Sequence, residues 1–128
     1  MTAVVPSVRS LTQVVDKTLE LHLALNKPTD AEVEDAVRAL LAWAWDSQDW
    51  LESFGGPPLL VAVFAFAGSP EAERILKVTK VAKLGREVVA RNVAWDFAYW
   101  MCAQMEYLRA QYQNTILCTS DDALADLL

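Results

Sequence analysis

The 128 residues of this sequence suit a single domain around one core, so we predict one domain over residues 1–128. The formal net charge of −6 gives no support for binding the phosphates of nucleic acid. Cys102 and Cys118 form no CxxC or Cys/His cluster, which argues against a disulfide framework or a zinc site and favours reduced thiols in an intracellular protein.

The first two predicted helices each carry one apolar face. The first begins at Ser10, which can cap it with Gln13 in the return position, and it ends before Pro28. The second begins at Thr29, which has the spacing of a capping box with Glu32. The two faces, at helical spacing, consist of Val8, Leu11, Val15 and Leu19 and of Val33, Val37, Leu40, Leu41 and Ala44.

An apolar run follows, with chain-breaking residues on both sides. A short third helix, capped by Ser47, is predicted to stop at Gly55. Pro57 begins a fourth helix that ends near Ala67, because proline is tolerated in the first turn but not further in. The apolar stretch that starts at Leu59 is too short to span a bilayer, which takes about 20 residues, so we predict no transmembrane segment.

The remaining sequence predicts three more helices. Ser69 and Pro70 start a fifth helix that runs to Gly85. The sixth, roughly Glu87–Gln113, is the longest and is apolar around much of its circumference, so we expect it to be central. A last short helix is capped by Ser120. About seven helices with short connections predict an all-α, compact bundle.

Candidate catalytic residues are sparse. His22 is the single histidine, and no serine or cysteine nucleophile motif accompanies it, so a structural role is favoured over that of a general base. The carboxylates are scattered over helix caps and solvent faces instead of forming a pair. The sequence contains no P-loop, GxGxxG, HExxH or EF-hand motif. We therefore predict a protein that is not an enzyme and has no cofactor and no metal site.

Tryptophan and basic residues indicate candidate binding surfaces. Trp43 and Trp45 lie two positions apart and point in different directions on a helix, so at least one is expected in a groove or an interface. Trp95, Tyr99 and Cys102 form a second face of the sixth helix. A basic series is either a solvated face or a positive rim that steers an acidic partner. It consists of Arg74, Lys77, Lys80, Lys83 and Arg86.

The apolar content of the chain, 54%, is high for its size. Either the core is unusually large or apolar surface is kept for a partner. A surplus of this kind also predicts a homodimer.

Two segments, "GGPPLL…GSPEAERILKVTKVAKLGREVVARNVAWDFAYWMCAQMEYLRAQY" and within it "AWDFAYWMCAQMEYL", Ala94 to Leu108, resemble the last helices of the Bcl-2 family. The likeness covers about half of the chain and is closest to short virus-encoded members without a membrane anchor. The family's Asn-Trp-Gly-Arg signature is replaced by "SPEA" in the register that we prefer, because "GSPE" would interrupt a helix in the rival one. That rival register sets Leu59 where the family's arginine belongs. A BH3-like pattern remains as Leu41 to Asp46, with Trp45 in the small place, and the Gly-Gly-Trp signature is missing.

The resemblance implies a Bcl-2-like bundle with a central helical hairpin and a hydrophobic groove for the BH3 helix of pro-apoptotic host proteins. Sequestering that helix would inhibit apoptosis, in the host cytoplasm or peripherally at mitochondria, with Arg74 pairing the ligand's aspartate. One alternative keeps the fold and inhibits innate immune signalling of the NF-kappa-B type by binding adaptors, and another is a non-catalytic helical assembly protein. The expected groove residues are Leu41, Trp45, Trp50, Leu51, Phe54, Leu60, Val63, Phe64, Arg74 and Ile75.

Overall fold

The computed structural model describes residues 8–47 and 56–109, with side chains through residue 103, and each regular element in these ranges is helical. The elements in chain order are α1 (Val8–Leu23), α2 (Asp30–Asp46), α3 (Gly56–Phe66), α4 (Pro70–Ile75), a 3₁₀ turn (Val78–Lys80), α5 (Val81–Leu84) and α6 (Arg86–Arg109). The all-α prediction is therefore confirmed for this part of the chain. These ranges hold six α-helices; the predicted third and last helices lie outside them, so the count of seven stays a prediction.

Helices α1 and α6 pack along each other and form the largest interface between the described helices. The predicted inward face of α1 is confirmed, because Leu11, Val15 and Leu19 are buried in one cluster with α6. Burial of each large aliphatic side chain contributes about 1.5–3 kcal/mol. On α6 the cluster consists of Val89, Ala90, Val93, Ala94, Phe97, Ala98 and Trp100. The longest helix is thus central, as its composition predicted.

The start of α1 differs from the prediction. Val8 is already helical, so Ser10 does not cap this helix; Ser10 lies in its first turn and is buried. Val8 packs partly against the core, and this burial favours helical backbone before Ser10. The hydroxyl of Thr12 donates to the carbonyl oxygen of Val8 over 2.7 Å, a local bond of the kind that threonine makes inside helices.

The start of α2 agrees with the predicted capping box. The backbone N–H of Glu32 donates to Oγ1 of Thr29, and the backbone N–H of Thr29 donates to Oε1 of Glu32, each over 3.3 Å. Two of the donors that a helix start leaves free are thereby satisfied. The first turn of α2 is fixed by its own sequence.

Helix α3 is the apolar run, and it packs against α2. Ala62 and Phe66 of α3 share a buried cluster with Ala36 and Leu40 of α2. The prolines that begin it occupy its first turn, as predicted. Among the described helices, none combines the length and the apolar content that a bilayer span requires.

The predicted fifth helix, Pro70–Gly85, is wrong as a single helix. Its start is confirmed, with the N–H of Ala72 donating to Oγ of Ser69 over 3.3 Å, but α4 ends at Ile75 and Lys77 takes a left-handed φ of 54°. Ile75 and Leu76, the two residues before the break, are both buried.

The central helical hairpin that the resemblance implies stays a prediction, although the chain before α6 is not one long helix in the described ranges. The segment before α6 consists of α4, the 3₁₀ turn and α5, and the long partner of α6 is α1. At the break, Nζ of Lys77 lies 3.0 Å from Oδ2 of Asp96 on α6, a contact between distant segments that helical spacing does not predict.

Candidate functional site

Four large apolar side chains of α2 and α3 are open to solvent. The exposed fraction is 44% for Leu41, 70% for Trp45 and 49% for both Leu60 and Phe64. Within each helix the two residues are four positions apart, so they lie one turn above the other on the same face. All four belong to the predicted groove set, and together they define what we call the α2/α3 surface.

The two helices that carry this surface lie side by side, with the start of α2 beside the end of α3. Val33 of α2 and Ala67, which follows α3, line the same cavity, and the helices share a core cluster. At 1.5 Å per residue, Leu41 lies about 12 Å along α2 from Val33, and Leu60 lies about 10 Å along α3 from Ala67. Leu41 and Leu60 thus lie at similar distances from the cavity, each measured along its own helix.

The other predicted groove residues have different placements. Val63 is half-buried on α3, and Arg74 is exposed on α4, with its guanidinium 4.0 Å from a carboxylate oxygen of Glu71. Ile75 is only 3% exposed and belongs to the core cluster, so it forms core instead of an accessible wall. Helical spacing alone does not determine which residues surround Ile75 in the fold. The residues that lie outside the described ranges are Trp50, Leu51 and Phe54.

The divergence predicted for the two tryptophans of α2 is present. Trp43 is half-buried and packs against Val14 and Ala44, whereas Trp45 is mostly exposed. Because the two side chains leave the helix in different directions, the core can hold only one of them. Of these two, Trp45 is the one that a partner can reach.

The polar surroundings of the α2/α3 surface are acidic. Helix α3 contains no charged residue, whereas the exposed charged residues of α2 are mainly carboxylates, with a single arginine. That arginine, Arg38, is bound to Glu34 one turn away, with 2.6 Å between nitrogen and oxygen. The exposed carboxylates are those of Asp30, Glu32, Glu34, Asp35 and Asp46. This arrangement complements a partner that is apolar on one side and basic at its edges.

A cavity of about 470 Å³ lies where the start of α2 meets the end of α3. The apolar residues that line it are Pro28, Val33 and Ala67. Its charged residues are Lys27, Asp30 and Glu34. None of these was among the predicted groove residues, since the cavity depends on how two helix ends meet in space.

The basic series does not lie on one helix, because α4 ends at Ile75 and Lys77 has a left-handed backbone conformation. Lys77 pairs with Asp96 of α6, and Nε of Arg86 lies 2.7 Å from Oδ1 of Asp16 on α1. Two of the five cations thus connect elements of the fold. Lys80 and Lys83 are exposed.

His22 has contacts that fit the structural role favoured from the sequence. Its ring stacks on Phe66 with 6.3 Å between centroids, and Nε2 lies 3.6 Å from Oε1 of Glu73. Nδ1 is buried and has no hydrogen-bond partner among the described residues. The imidazole therefore joins α1, α3 and α4.

The second face of α6 is the feature whose importance the sequence analysis missed. Trp95, Tyr99 and Cys102 were recognised as one face, but the apolar composition of the helix suggested burial on most sides. In the structure all three are exposed. The sequence signal for an exposed face was the presence of a charged and a polar residue, Arg91 and Asn92, beside it. Both are also exposed.

Comparisons with protein-family models, with curated proteins and with solved structures give no match for this chain.

Proposed function

We propose that this chain is a non-catalytic binding protein that captures an amphipathic helix of a partner on the α2/α3 surface. The observation that carries the proposal is the exposure of Leu41, Trp45, Leu60 and Phe64 on two adjacent helices. Covering apolar surface is favourable by about 25 cal/mol per Å², and tryptophan is enriched among interface hot spots. An amphipathic helix presents apolar residues at the spacing that such a surface accepts.

The partner that we propose is the BH3 helix of a pro-apoptotic host protein, whose sequestration would inhibit apoptosis. The support is the likeness of Ala94 to Leu108 to the Bcl-2 family, together with the exposed apolar pairs of α2 and α3. Arg74 is accessible for the ligand's aspartate, since its side chain is 60% exposed and its pair with Glu71, at 4.0 Å, is a loose one. Because Ile75 is buried, α4 contributes only Arg74 to the proposed site, and the apolar side chains come from α2 and α3.

The charges of α2 add a requirement on the partner. The exposed carboxylates of that helix favour lysine or arginine at the edges of the partner's apolar face. Among BH3 peptides of similar apolar sequence, we expect the more basic ones to bind faster and more tightly. This difference should shrink as salt screens the charges.

The test is a titration of fluorescently labelled BH3 peptides, followed by anisotropy. We expect saturable binding to the wild-type chain. A double variant, Trp45→Ala with Phe64→Glu, removes two exposed apolar anchors and should weaken it by at least about 30-fold, which is the effect of losing a single hot spot of about 2 kcal/mol. Trp95→Ala is the matched control, since it removes an exposed tryptophan from α6 and should leave peptide affinity unchanged.

Two results would contradict the proposal. One is the absence of saturable binding by folded wild-type protein with any BH3 peptide. The other is a double variant that binds as tightly as the wild type. A cellular signalling activity that survives the double variant would instead favour the adaptor-binding alternative.

A further inference from the structure

The exposed face of α6 has a regular pattern that the proposed function does not use. Val88, Asn92, Trp95, Tyr99 and Cys102 are separated by alternating steps of four and three residues, and all five are exposed. Trp95 is 49% exposed and Tyr99 65%, with their ring centroids 6.2 Å apart. We call these five residues the α6 stripe.

The spacing of the α6 stripe is that of the contact positions in a coiled coil. Val88, Trp95 and Cys102 occupy d positions, and Asn92 and Tyr99 occupy a positions of two successive heptads. Asparagine at an a position is used in coiled coils to fix register and the number of strands. The opposite side of α6 is occupied by α1. The stripe thus resembles one side of a coiled-coil interface, and no helix among the described residues packs against it.

Charged residues on the two sides of the stripe complement each other. Arg91, at a g position, and Asp96, at an e position, are five residues apart, which is the separation at which g and e residues of two parallel helices meet. Arg91 is exposed and lies 4.0 Å from Glu87, so it can reorient. Asp96 uses Oδ2 for Lys77 and retains Oδ1 as an acceptor.

We infer that the α6 stripe is a homodimer interface, in which the α6 helices of two copies pack in parallel. Arg91 of each copy then meets Asp96 of the other, and the two Asn92 side chains face each other at an a position. An antiparallel pair centred on Trp95 and Tyr99 would place Asn92 opposite Cys102 and bring the two Asp96 carboxylates together. The charges therefore favour the parallel arrangement with a second copy of this chain.

The size of the seam determines how strong the dimer is. From Val88 to Cys102 it extends about 21 Å, which is two heptads and less than the three to four that sustain an independent coiled coil. Each copy contributes two exposed aromatic rings, which supply most of the contact area. We expect a reversible dimer whose population rises with concentration.

Disulfide trapping through Cys102 tests both the face and the direction of packing. In a parallel dimer the two Cys102 thiols lie at the same level of the seam, so a mild oxidant removes two protons and two electrons and joins them. A Cys118→Ser background leaves Cys102 as the only cysteine. We expect a covalent dimer on a non-reducing gel, and none after Cys102→Ser. The matched control carries both serine substitutions and Ala39→Cys, which places one thiol at an exposed site on α2; its yield measures random collision.

Light scattering over a range of concentrations tests the same interface without a covalent bond. Trp95→Lys should raise the dimer dissociation constant by at least about 100-fold, since it removes a central aromatic from both copies. Arg91→Glu should raise it by about fivefold, because two exposed ion pairs become repulsive. Circular dichroism checks that both variants stay helical.

The inference is overturned by a wild-type chain that stays monomeric at high concentration, or by Cys102 trapping no better than the Ala39→Cys control. A dimer that is insensitive to Trp95→Lys, or one that does not trap through Cys102, also overturns it. These outcomes leave peptide binding at the α2/α3 surface untouched.

Discussion

Leu40 and Leu41 are identical side chains on adjacent positions of α2, and they face different environments. Leu40 is completely buried between α2 and α3, whereas Leu41 lies on the α2/α3 surface. A leucine in the core contributes through the area removed from water and through the absence of a cavity. A leucine on the surface contributes little to folding and is available to a partner.

The two leucines therefore provide a matched pair of substitutions. Leu40→Ala should lower the free energy of unfolding by about 2–5 kcal/mol, because it leaves a cavity in the α2/α3 cluster. Leu41→Ala should change it by about 0.5 kcal/mol or less but should weaken peptide binding. Urea denaturation measures the first effect and the peptide titration the second. Equal destabilisation by both substitutions would contradict the burial that separates them.

The helices differ in how far their own sequences determine them. The starts of α2 and α4 were predictable, because Thr29 with Glu32 and Ser69 with Pro70 satisfy donors within one turn. The break at Lys77 was not, since it depends on Asp96 in another helix and on the burial of Leu76. A periodic pattern detects an apolar face but contains no information on contacts between distant segments.

The candidate site likewise contains features that local helical spacing predicts and features that depend on contacts between distant segments. That Trp43 and Trp45 diverge is a property of any helix, and the exposure of one of them could be predicted from spacing. Whether Ile75 lines a groove or enters the core depends on where α4 lies against the rest of the chain. Helical spacing does not carry that information.

The capping box of α2 is the local device that can be tested most directly. Thr29→Ala should lower the free energy of unfolding by about 1 kcal/mol, because the backbone N–H of Glu32 loses its acceptor. Thr29→Ser keeps the hydroxyl and should stay near the wild type. The measurement is urea denaturation followed by circular dichroism. If Thr29→Ala and Thr29→Ser are equally stable, the hydroxyl does not cap α2.

The part of the molecule that the structure describes presents two exposed apolar surfaces on different helices, and they have different proposed occupants. The α2/α3 surface is bordered by carboxylates, which favours a foreign partner with basic edges. The α6 stripe is bordered by Arg91 and Asp96, which favours a second copy of the chain. With both proposed occupants, one chain would hold two ligands of different origin, and the dimer would present two peptide-binding surfaces.

The two surfaces should act independently. Substitutions that are well separated and share no partner usually have additive effects within about 0.5 kcal/mol. We expect Trp95→Lys to leave peptide affinity within that margin, and Trp45→Ala to leave the dimer dissociation constant within it. For each of the two variants, anisotropy measures the peptide affinity and light scattering measures the dimer dissociation constant. A loss of peptide affinity in Trp95→Lys would mean that the dimer contributes to the binding surface.

Helix α3 places alanine at two of its buried positions, Ala62 and Ala65, while Leu60 and Phe64 face outward. For an evolving sequence this separates two selective pressures. Substitutions at the outward positions can change which partner is recognised without altering the interior, and the small inward residues keep the helix in place meanwhile. Substitutions on such a surface can match sequence changes in a partner over many generations with little effect on the stability of the fold.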